Sequence, residues 1–224
     1  MHFLNKITQL PACCTLCHRG CRGTFCNSCD AALPRLPANC CPRCALPTLD
    51  GGLCGGCLAH PPRFDASHAA LRYTGDAAHL ITAGKYAGRW SLWRALAGLL
   101  AVRLPAEPDI DLIVPMPLHA HRLRERGFNQ SAELASVLAR HAGRPLRHDL
   151  LERVRDTGQQ SRLSLVERRR NLKGAFAASA DVRGLRIAVV DDVMTSGLTL
   201  DTVAATLKRA GAVQVEAWVL ARTL

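Results

Sequence analysis

The stretch VVDDVMTSGLTL at residues 189–200 decides the fold of this 224-residue chain. It joins a mostly apolar run, LRIAVV at 185–190, to an amphipathic run at 200–210 whose apolar residues share one helical face. Such an apolar run is typical of a parallel strand that is buried on both faces of a sheet. The sequence therefore predicts a strand, then two carboxylates, then a turn of small hydroxyl residues, then a helix.

The turn is predicted to bind a ribose phosphate. Backbone N–H groups at a helix N-terminus form an anion cradle with small hydroxyl side chains, and Gly197 lets the backbone approach the anion closely. Asp191 and Asp192 would repel a bare phosphate, so we expect them to face sugar hydroxyls or a magnesium ion. Ligands of open α/β sheets bind beyond the carboxyl ends of strands, where this turn lies.

Other interpretations of the same stretch fit less well. An Asp pair that binds magnesium in a receiver-type domain should come early in the chain, without a TSGxT sequence after it. The hydroxyl residues alone could serve as a helix cap. The chain contains neither GxxxxGK[ST] nor GxGxxG after a strand, which leaves a P-loop and a dinucleotide fold unsupported.

The pattern around this stretch alternates strands with helices. It predicts strands at 69–73, 112–114, 185–190 and 213–220, one or two helices at 77–104, and helices at 131–141 and 200–210. This order indicates an α/β domain with a parallel sheet flanked by helices.

The first 60 residues have a different composition. All eleven cysteines lie there, and eight of them form four CxxC pairs. Two thiolates of one CxxC turn reach one ion at about 2.3 Å, and a second turn completes a tetrahedral zinc site. We therefore expect two structural zinc ions. Sequential pairing gives the ligand sets Cys14, Cys17, Cys26, Cys29 and Cys41, Cys44, Cys54, Cys57.

A crossed pairing of the four CxxC turns satisfies the spacing as well, and Cys13, Cys21 and Cys40 stay unassigned. The alternative to zinc is a redox CxxC, which normally occurs once, near a strand–helix unit. Cysteines stop and α/β patterns begin near Pro61 and Pro62. We therefore expect a small Cys-rich double zinc-finger module at residues 1–62 and the α/β domain at 63–224.

Four stretches carry a family resemblance. AVVDDVMTSGLT is similar to the signature of type I phosphoribosyltransferases, and the chain as a whole resembles the ComF/GntX family, the competence-protein-F-like members of that fold. The further stretches are ITAGKYAG at 81–88, VPMPLHAHRLRERGFNQS at 114–131 and LERVRDTGQQSRLSLVERRRNLKGAF at 151–176. The final ARTL and the zinc module also match.

The resemblance implies a phosphoribosyltransferase-like domain at 63–224 that binds PRPP together with Mg²⁺. Asp191 and Asp192 would hold the ribose 2′- and 3′-hydroxyls. The 5′-phosphate would be held by Thr195, Ser196, Gly197 and Thr199. The diphosphate would lie near the segment after residue 114, with the candidate ligands Pro117, Leu118, Arg122, Arg126 and Lys85.

The middle of the chain is basic. Residues 119–173 contain thirteen Arg or Lys against six acidic residues, within a formal net charge of +11 for the chain. Arginine forks match phosphate geometry, which favours a diphosphate grip that could include Arg155. The alternatives are a single-stranded nucleic-acid track, with Trp90, Trp93 or Phe128 as stacking groups, and a plain solvated surface. The helical spacing of the two tryptophans favours the core, and His119 and His121 are expected to be loop residues.

Three functions are compatible with these observations. The first is phosphoribosyl transfer from PRPP to an acceptor that no residue identifies. The second, which the resemblance to competence factors implies, is a non-catalytic role in DNA uptake, with single-stranded DNA and a helicase-type partner. The third is a scaffold whose zinc module docks a partner. No run reaches the roughly 18 apolar residues of a membrane helix, and no secretory signal is evident, so we expect a cytoplasmic protein.

Overall fold

The computed structural model describes residues 13–85, 90–156 and 165–224. Residues 86–89 and 157–164, which carry part of the resemblance, lie outside the described residues, as do the side chains of Trp90, Arg168 and Arg169. The chain divides into two compact units, Met1–Leu33 and Pro34–Leu224. The second cysteine set is therefore part of the larger unit. The boundary near residue 62, which composition suggests, stays a prediction.

Among its described residues, 13–33, the smaller unit contains one short helix, α1 (Asn27–Ala32), which begins after Cys26. An isolated bridge pairs Cys13 with Gly20, and the Cys14 N–H donates to the Arg19 carbonyl at 2.8 Å. These bonds close a tight turn around the first CxxC pair.

The larger unit alternates strands and helices. Its helices are α2 (Gly55–Ala59), α3 (Gly75–Gly84), α4 (Trp90–Ala101), α5 (Ala120–Arg126), α6 (Gln130–Ala142), α7 (Leu165–Leu172) and α8 (Leu198–Arg209). Its strands are β1 (Ala66–Arg72), β2 (Leu112–Pro115), β3 (Leu151–Arg153), β4 (Phe176–Ala178), β5 (Arg186–Met194) and β6 (Gln214–Arg222). No helix of the described residues is long and apolar enough to span a lipid bilayer.

Four strands form a parallel sheet in the order β1-β6-β5-β2. The two central strands are buried almost along their whole length, as expected for a sheet covered on both faces. Helix α8 packs against Ile187, Val189 and Val215 in one core cluster, while α4 and α6 pack on each other and against the sheet. The predicted parallel sheet flanked by helices is confirmed.

The strands differ from the sequence prediction at their ends: β1 begins three residues early, at Ala66, and the differences at β5 and β6 bear on the site. Strand β5 continues past Val190 to Met194, because β6 goes on pairing with it: Asp191 faces Val219, and Met194 faces Arg222. The two carboxylates therefore lie within the strand and not beyond its end. Strand β6 begins only at Gln214, and Val213 is 61% exposed because it precedes the sheet.

Two α-helices and one antiparallel strand pair between β2 and β5 were absent from the prediction. Helix α5 fills the segment after β2, and its C-cap Gly127 has a φ of 75°. Strands β3 and β4 form a separate antiparallel pair, 151–153 against 176–178. Helix α7 lies between them in the chain. The two helices and the strand pair are short, and each is either strongly charged or only partly apolar. Hydrophobic periodicity therefore gives only a weak signal for them.

Candidate functional site

The candidate site lies where strand β2 stops beside strand β5. Pro115, the last residue of β2, pairs with Val190, and the Met116 N–H donates to the Val190 carbonyl at 2.8 Å. One residue further along β5, Asp191 has β6 on one side but no β2 partner on the other. A crevice of this kind at the carboxyl ends of parallel strands is the usual ligand position in open α/β sheets.

Asp191 is held by two hydrogen bonds to one carboxylate oxygen. Ser131 Oγ donates to Asp191 Oδ1 at 3.1 Å, and the Asp192 N–H donates to the same oxygen at 2.9 Å. Burial, followed by the charge of Asp192, raises the pKa of Asp191 to about 7. Near neutral pH this carboxyl is therefore about half protonated, and in that form it can also donate a hydrogen bond.

Asp192 is buried and forms an ion pair with Lys85. Lys85 Nζ lies 2.6 Å from Asp192 Oδ2, and the two side chains are 22% and 8% exposed. Burial acts against the charge of Lys85, but the carboxylates of Asp192 and Asp191 outweigh it and raise the Lys85 pKa. The ion pair and the half-protonated Asp191 together leave little net negative charge, which removes much of the repulsion expected between two carboxylates and a phosphate.

The turn between β5 and α8 has the geometry of an anion cradle. Gly197 is the N-cap of α8 with a φ of 78°, a left-handed conformation that glycine adopts without strain. Ser196 Oγ accepts from the Leu198 N–H at 3.4 Å. The first N–H groups of a helix have no partner within the helix and can bind an anion, and in α8 the N–H of Leu198 already donates to Ser196 Oγ. A small cleft is lined by Asp191, Val193, Met194, Thr195, Gly197, Leu198, Thr199 and Leu200.

The predicted diphosphate ligands are only partly brought together. Pro117 and Leu118 are half-buried in the loop after β2, next to the cradle edge of the sheet. Arg122 is 3.6 Å from Glu125, and Arg126 Nη1 donates to Gln130 Oε1 at 3.2 Å, so both guanidinium groups already have partners on α5 and α6. Among the three cationic candidates, Lys85 is the residue that contacts the site, through its ion pair with Asp192.

Three residues that the sequence did not single out support the site. Ser131, buried at the start of α6, reaches Asp191 across 60 positions of sequence. Arg222 donates from β6 to the carbonyls of Met194 and Thr195 at the start of the cradle. Arg153 lies with its Cζ 5.6 Å from the Phe176 ring centroid. Burial lowers the Arg153 pKa, and the charges of Asp156 and Asp191 oppose that change.

Two of the three aromatic residues considered for nucleic-acid stacking, Trp93 and Phe128, are in the core, and the side chain of Trp90 lies outside the described residues. Trp93 has no exposed surface, and its Nε1 donates to the Gly84 carbonyl at 3.2 Å. Phe128 is 7% exposed. The core placement expected from the helical spacing is therefore right for Trp93. A stacking role for Trp93 and Phe128 is wrong, because a base has no access to either ring.

The cysteines are grouped sequentially. In each set of four, all sulfur atoms lie within 4.8 Å of one another, and the two sets are Cys14, Cys17, Cys26, Cys29 and Cys41, Cys44, Cys54, Cys57. The Cys17–Cys26 and Cys44–Cys54 sulfur distances are 3.7 and 3.5 Å. A tetrahedral site with metal–sulfur bonds of about 2.3 Å has sulfur–sulfur edges of about 3.8 Å. Each set can therefore hold one metal ion of this kind.

The two cysteine sets are built in the same way, a structural repeat that the sequence prediction missed. The residue after each first CxxC pair, His18 or Ala45, has a positive φ of 59° or 57°. Each second pair begins at the N-cap of a short helix, at Cys26 and Cys54. Backbone hydrogen bonds, chiefly from Cys17 and then Cys26, lower the pKa of Cys14 to about 6, whereas side-chain hydrogen bonds from Cys17 and Cys26 raise the pKa of Cys29, so the thiols of one set differ in acidity.

The chain resembles known proteins over nearly its whole length. The family model described as "Phosphoribosyl transferase domain" matches residues 129–224. The DNA utilization protein YhgH of Salmonella typhi is 38% identical, with 96% of this chain and 99% of that protein aligned. Competence protein F of Haemophilus influenzae is 33% identical over 75% of this chain and 78% of its own length.

A comparison with solved structures finds the glutamine PRPP amidotransferase of B. subtilis in complex with ADP and GMP. It is 22% identical with a TM-score of 0.40, and the match covers 56% of this chain and 25% of that chain.

Proposed function

Because this chain belongs to the ComF/GntX family of competence-protein-F-like proteins with a phosphoribosyltransferase fold, we propose that it binds a ribose 5-phosphate group. The ligand is PRPP with Mg²⁺, or a related ribose phosphate. The observation that carries the proposal is the continuous β5–α8 unit, which presents two carboxylates and a left-handed Gly197 N-cap at one edge of the sheet.

In this proposal the ribose and its 5′-phosphate bind to different residues of the site. Asp191 and Asp192 accept hydrogen bonds from the 2′- and 3′-hydroxyls. The 5′-phosphate accepts bonds from the backbone and hydroxyl groups of Thr195, Ser196, Gly197 and Thr199. Supporting this division, the Lys85–Asp192 ion pair and the raised pKa of Asp191 lower the negative charge beside the phosphate.

The diphosphate of PRPP is assigned to the loop after β2, at Pro117 and Leu118. Lys85, Arg122 and Arg126 are its cationic ligands in this proposal. For the two arginines this assignment requires a change of partners, from Glu125 and Gln130 to phosphate oxygens. An arginine can make that change because a bidentate phosphate contact is stronger than its exposed ion pair or its bond to a neutral amide.

The metal of the two cysteine sets is proposed to be zinc. Four thiols with sulfur separations near those of a tetrahedral site fit zinc better than the hard cations, which prefer oxygen ligands. The ions supply folding energy and no catalytic step, because all four ligand positions are protein sulfurs. Free thiols in such numbers suit a reducing compartment, which is in keeping with a cytoplasmic location.

The proposal is tested by calorimetric titration of Mg²⁺ and PRPP into the wild type and the Asp191→Asn, Asp192→Asn double variant. We expect binding to the wild type and none to the double variant, because both acceptors for the ribose hydroxyls lose their charge. Circular dichroism and zinc content serve as controls for folding. Equal binding by both proteins would contradict the assignment of the carboxylates.

Phosphoribosyl transfer is the activity that this site would support. An acceptor nucleophile would attack the anomeric carbon of PRPP as the bond to diphosphate breaks, and the protein would contribute positioning and charge stabilisation without a covalent intermediate. Release of diphosphate in the presence of candidate amines or bases is the measurement, with the Asp191→Asn, Asp192→Asn variant as the blank.

A second candidate function is the handling of single-stranded DNA with a helicase-type partner. It is favoured by the names of the relatives and by exposed arginines of α5 and α6, for example Arg124 and Arg140. Phosphate contacts release counterions, so affinity for a single-stranded oligonucleotide should fall steeply with salt. Affinity that is independent of salt, or absent at 50 mM salt, would exclude this function.

A further inference from the structure

Arg222, at the end of β6, connects the second cysteine set to the phosphate cradle. Its guanidinium is buried, with 6% of the residue exposed. The Nε donates to the Cys44 carbonyl at 2.9 Å. Nη1 donates to the Met194 carbonyl at 3.1 Å, to the Thr223 carbonyl at 2.6 Å and to the Thr195 carbonyl. One planar cation thus contacts both a CxxC turn and the first residues of the cradle.

Two other contacts join the segment at residues 41–64, which contains the second cysteine set, to the cradle and helix α8. The Arg63 N–H donates to Asp201 Oδ1, in the first turn of α8, at 2.6 Å. The Phe64 ring, 2% exposed, lies under the cradle, since a Cβ added to Gly197 would be 3.8 Å from Phe64 Cζ. A cleft of about 380 Å³ is lined by residues of the 41–64 segment and of the cradle. The cradle is therefore supported by the 41–64 segment as well as by the sheet.

Charge explains why an arginine occupies this position. Four thiolates around one Zn²⁺ carry a net charge of about −2, and a nearby cation stabilises a buried charge of that size. Arg222 provides it, with a fork of fixed geometry. Loss of the ion would remove the constraint on the Cys41–Cys44 turn. The Cys44 carbonyl would then shift, and the guanidinium that also holds the Met194 and Thr195 carbonyls would shift with it.

We propose that Arg222 couples metal occupancy of the Cys41, Cys44, Cys54, Cys57 set to ribose-phosphate binding at the 195–199 cradle, an inference that rests on the proposed function. Arg222 is a positioning residue that does not touch the ligand. It holds two carbonyls so that the following N–H groups point into the cradle. Coupling of binding free energies is reciprocal, so a bound ribose phosphate must strengthen metal retention by the same factor.

The first experiment uses the full-length zinc-loaded wild type. Zinc release to a coloured chelator is followed with and without ribose 5-phosphate, and with ribose as the control ligand. We expect ribose 5-phosphate to raise the zinc affinity of one of the two sites by about 5- to 150-fold, the usual range of allosteric coupling. The Cys14, Cys17, Cys26, Cys29 set is the internal reference and should be unaffected.

The second experiment compares two matched arginine variants. Arg222→Met should retain two zinc ions, bind ribose 5-phosphate more weakly by a similar factor, and lose the ligand's effect on zinc release. Arg222→Lys keeps the charge but not the fork, so it should recover only part of the coupling. Arg103→Met is the control, because Arg103 lines a cleft with Cys40 and Cys41 and donates to the Pro37 carbonyl, at 2.7 Å, and not to the cradle.

The outcomes separate the two proposals. A wild type that does not bind ribose 5-phosphate contradicts the proposed function, and the coupling falls with it. Binding that protects neither zinc ion, or both equally, overturns the coupling alone. So does an Arg222→Met protein that binds ribose 5-phosphate as tightly as the wild type. The wild-type measurement decides the question even if Arg222→Met does not fold.

Discussion

Replacing Asp191 by Asn should stabilise the protein while it abolishes ribose-phosphate binding. Burial and the charge of Asp192 raise the pKa of Asp191 from 3.8 to about 7, so the folded protein resists ionisation of this carboxyl. Asparagine has no charge, and its side-chain oxygen can still accept from Ser131 Oγ and the Asp192 N–H, which lie 3.1 and 2.9 Å from Asp191 Oδ1.

The size of the effect follows from the pKa difference between the unfolded and folded states. Because the folded-state pKa of Asp191 is raised, the wild type loses stability as the pH rises from about 4 to about 7, and the loss is constant above that range. One pH unit corresponds to about 1.36 kcal/mol, so the penalty reaches at most about 4 kcal/mol. Between pH 5.5 and pH 8.5 the advantage of Asp191→Asn should grow by about 2 kcal/mol.

Denaturant unfolding of the wild type and Asp191→Asn at both pH values measures this difference. Comparing the two proteins at each pH removes effects that they share, such as protonation of the zinc ligands. The matched control is Asp192→Asn, which leaves Lys85 without its 2.6 Å partner. It should destabilise the protein, by an amount of the order of 3 kcal/mol for a broken buried ion pair.

Two results would refute this reasoning. An Asp191→Asn protein that is less stable than the wild type at pH 8.5 would mean that the carboxylate is stabilising, as in an ordinary ion pair. An advantage that does not change between pH 5.5 and pH 8.5 would mean that Asp191 does not titrate in this range. Retained binding of ribose 5-phosphate by the variant would separately contradict its role toward the ribose.

The remaining predictions concern the metal and the cradle. Cys41→Ser should lose one of two zinc ions and lower the melting temperature, because metal binding there is largely folding energy; metal analysis with calorimetry measures both, and unchanged values would contradict a zinc role for this set. Gly197→Ala should lower stability by about 1–2 kcal/mol through its left-handed φ of 78° and weaken ribose 5-phosphate binding. Normal binding by Gly197→Ala would mean that the close approach of this backbone to the phosphate is not needed.

The sequence alone determined the fold class and predicted the main site. An apolar strand followed by DDVMTSGLT leaves few arrangements other than a parallel sheet with an anion cradle at its carboxyl edge. Four CxxC pairs indicated the metal sets in the same direct way. These features are local, since the residues of each lie within a single short stretch of sequence, and local spacing is what a sequence displays.

The tertiary structure decided the electrostatics of that site. Lys85 and Ser131 lie far from the 191–192 pair in sequence, and only the packing of α3 and α6 at the sheet edge brings them to Asp192 and Asp191. The same holds for Arg222, which reaches Cys44 across 178 positions. No spacing rule predicts such contacts, because they depend on strand order and register.

The ends of β5 and the division of the chain show the same distinction. Composition predicts a boundary near residue 62, which stays a prediction, and the contacts of the folded chain group the second cysteine set with the larger unit. Apolar patterning ended the strand at Val190, whereas pairing with β6 extends it through the carboxylates to Met194. A sequence pattern shows which side chains can be buried; the free energy of pairing with a distant strand determines where an element ends.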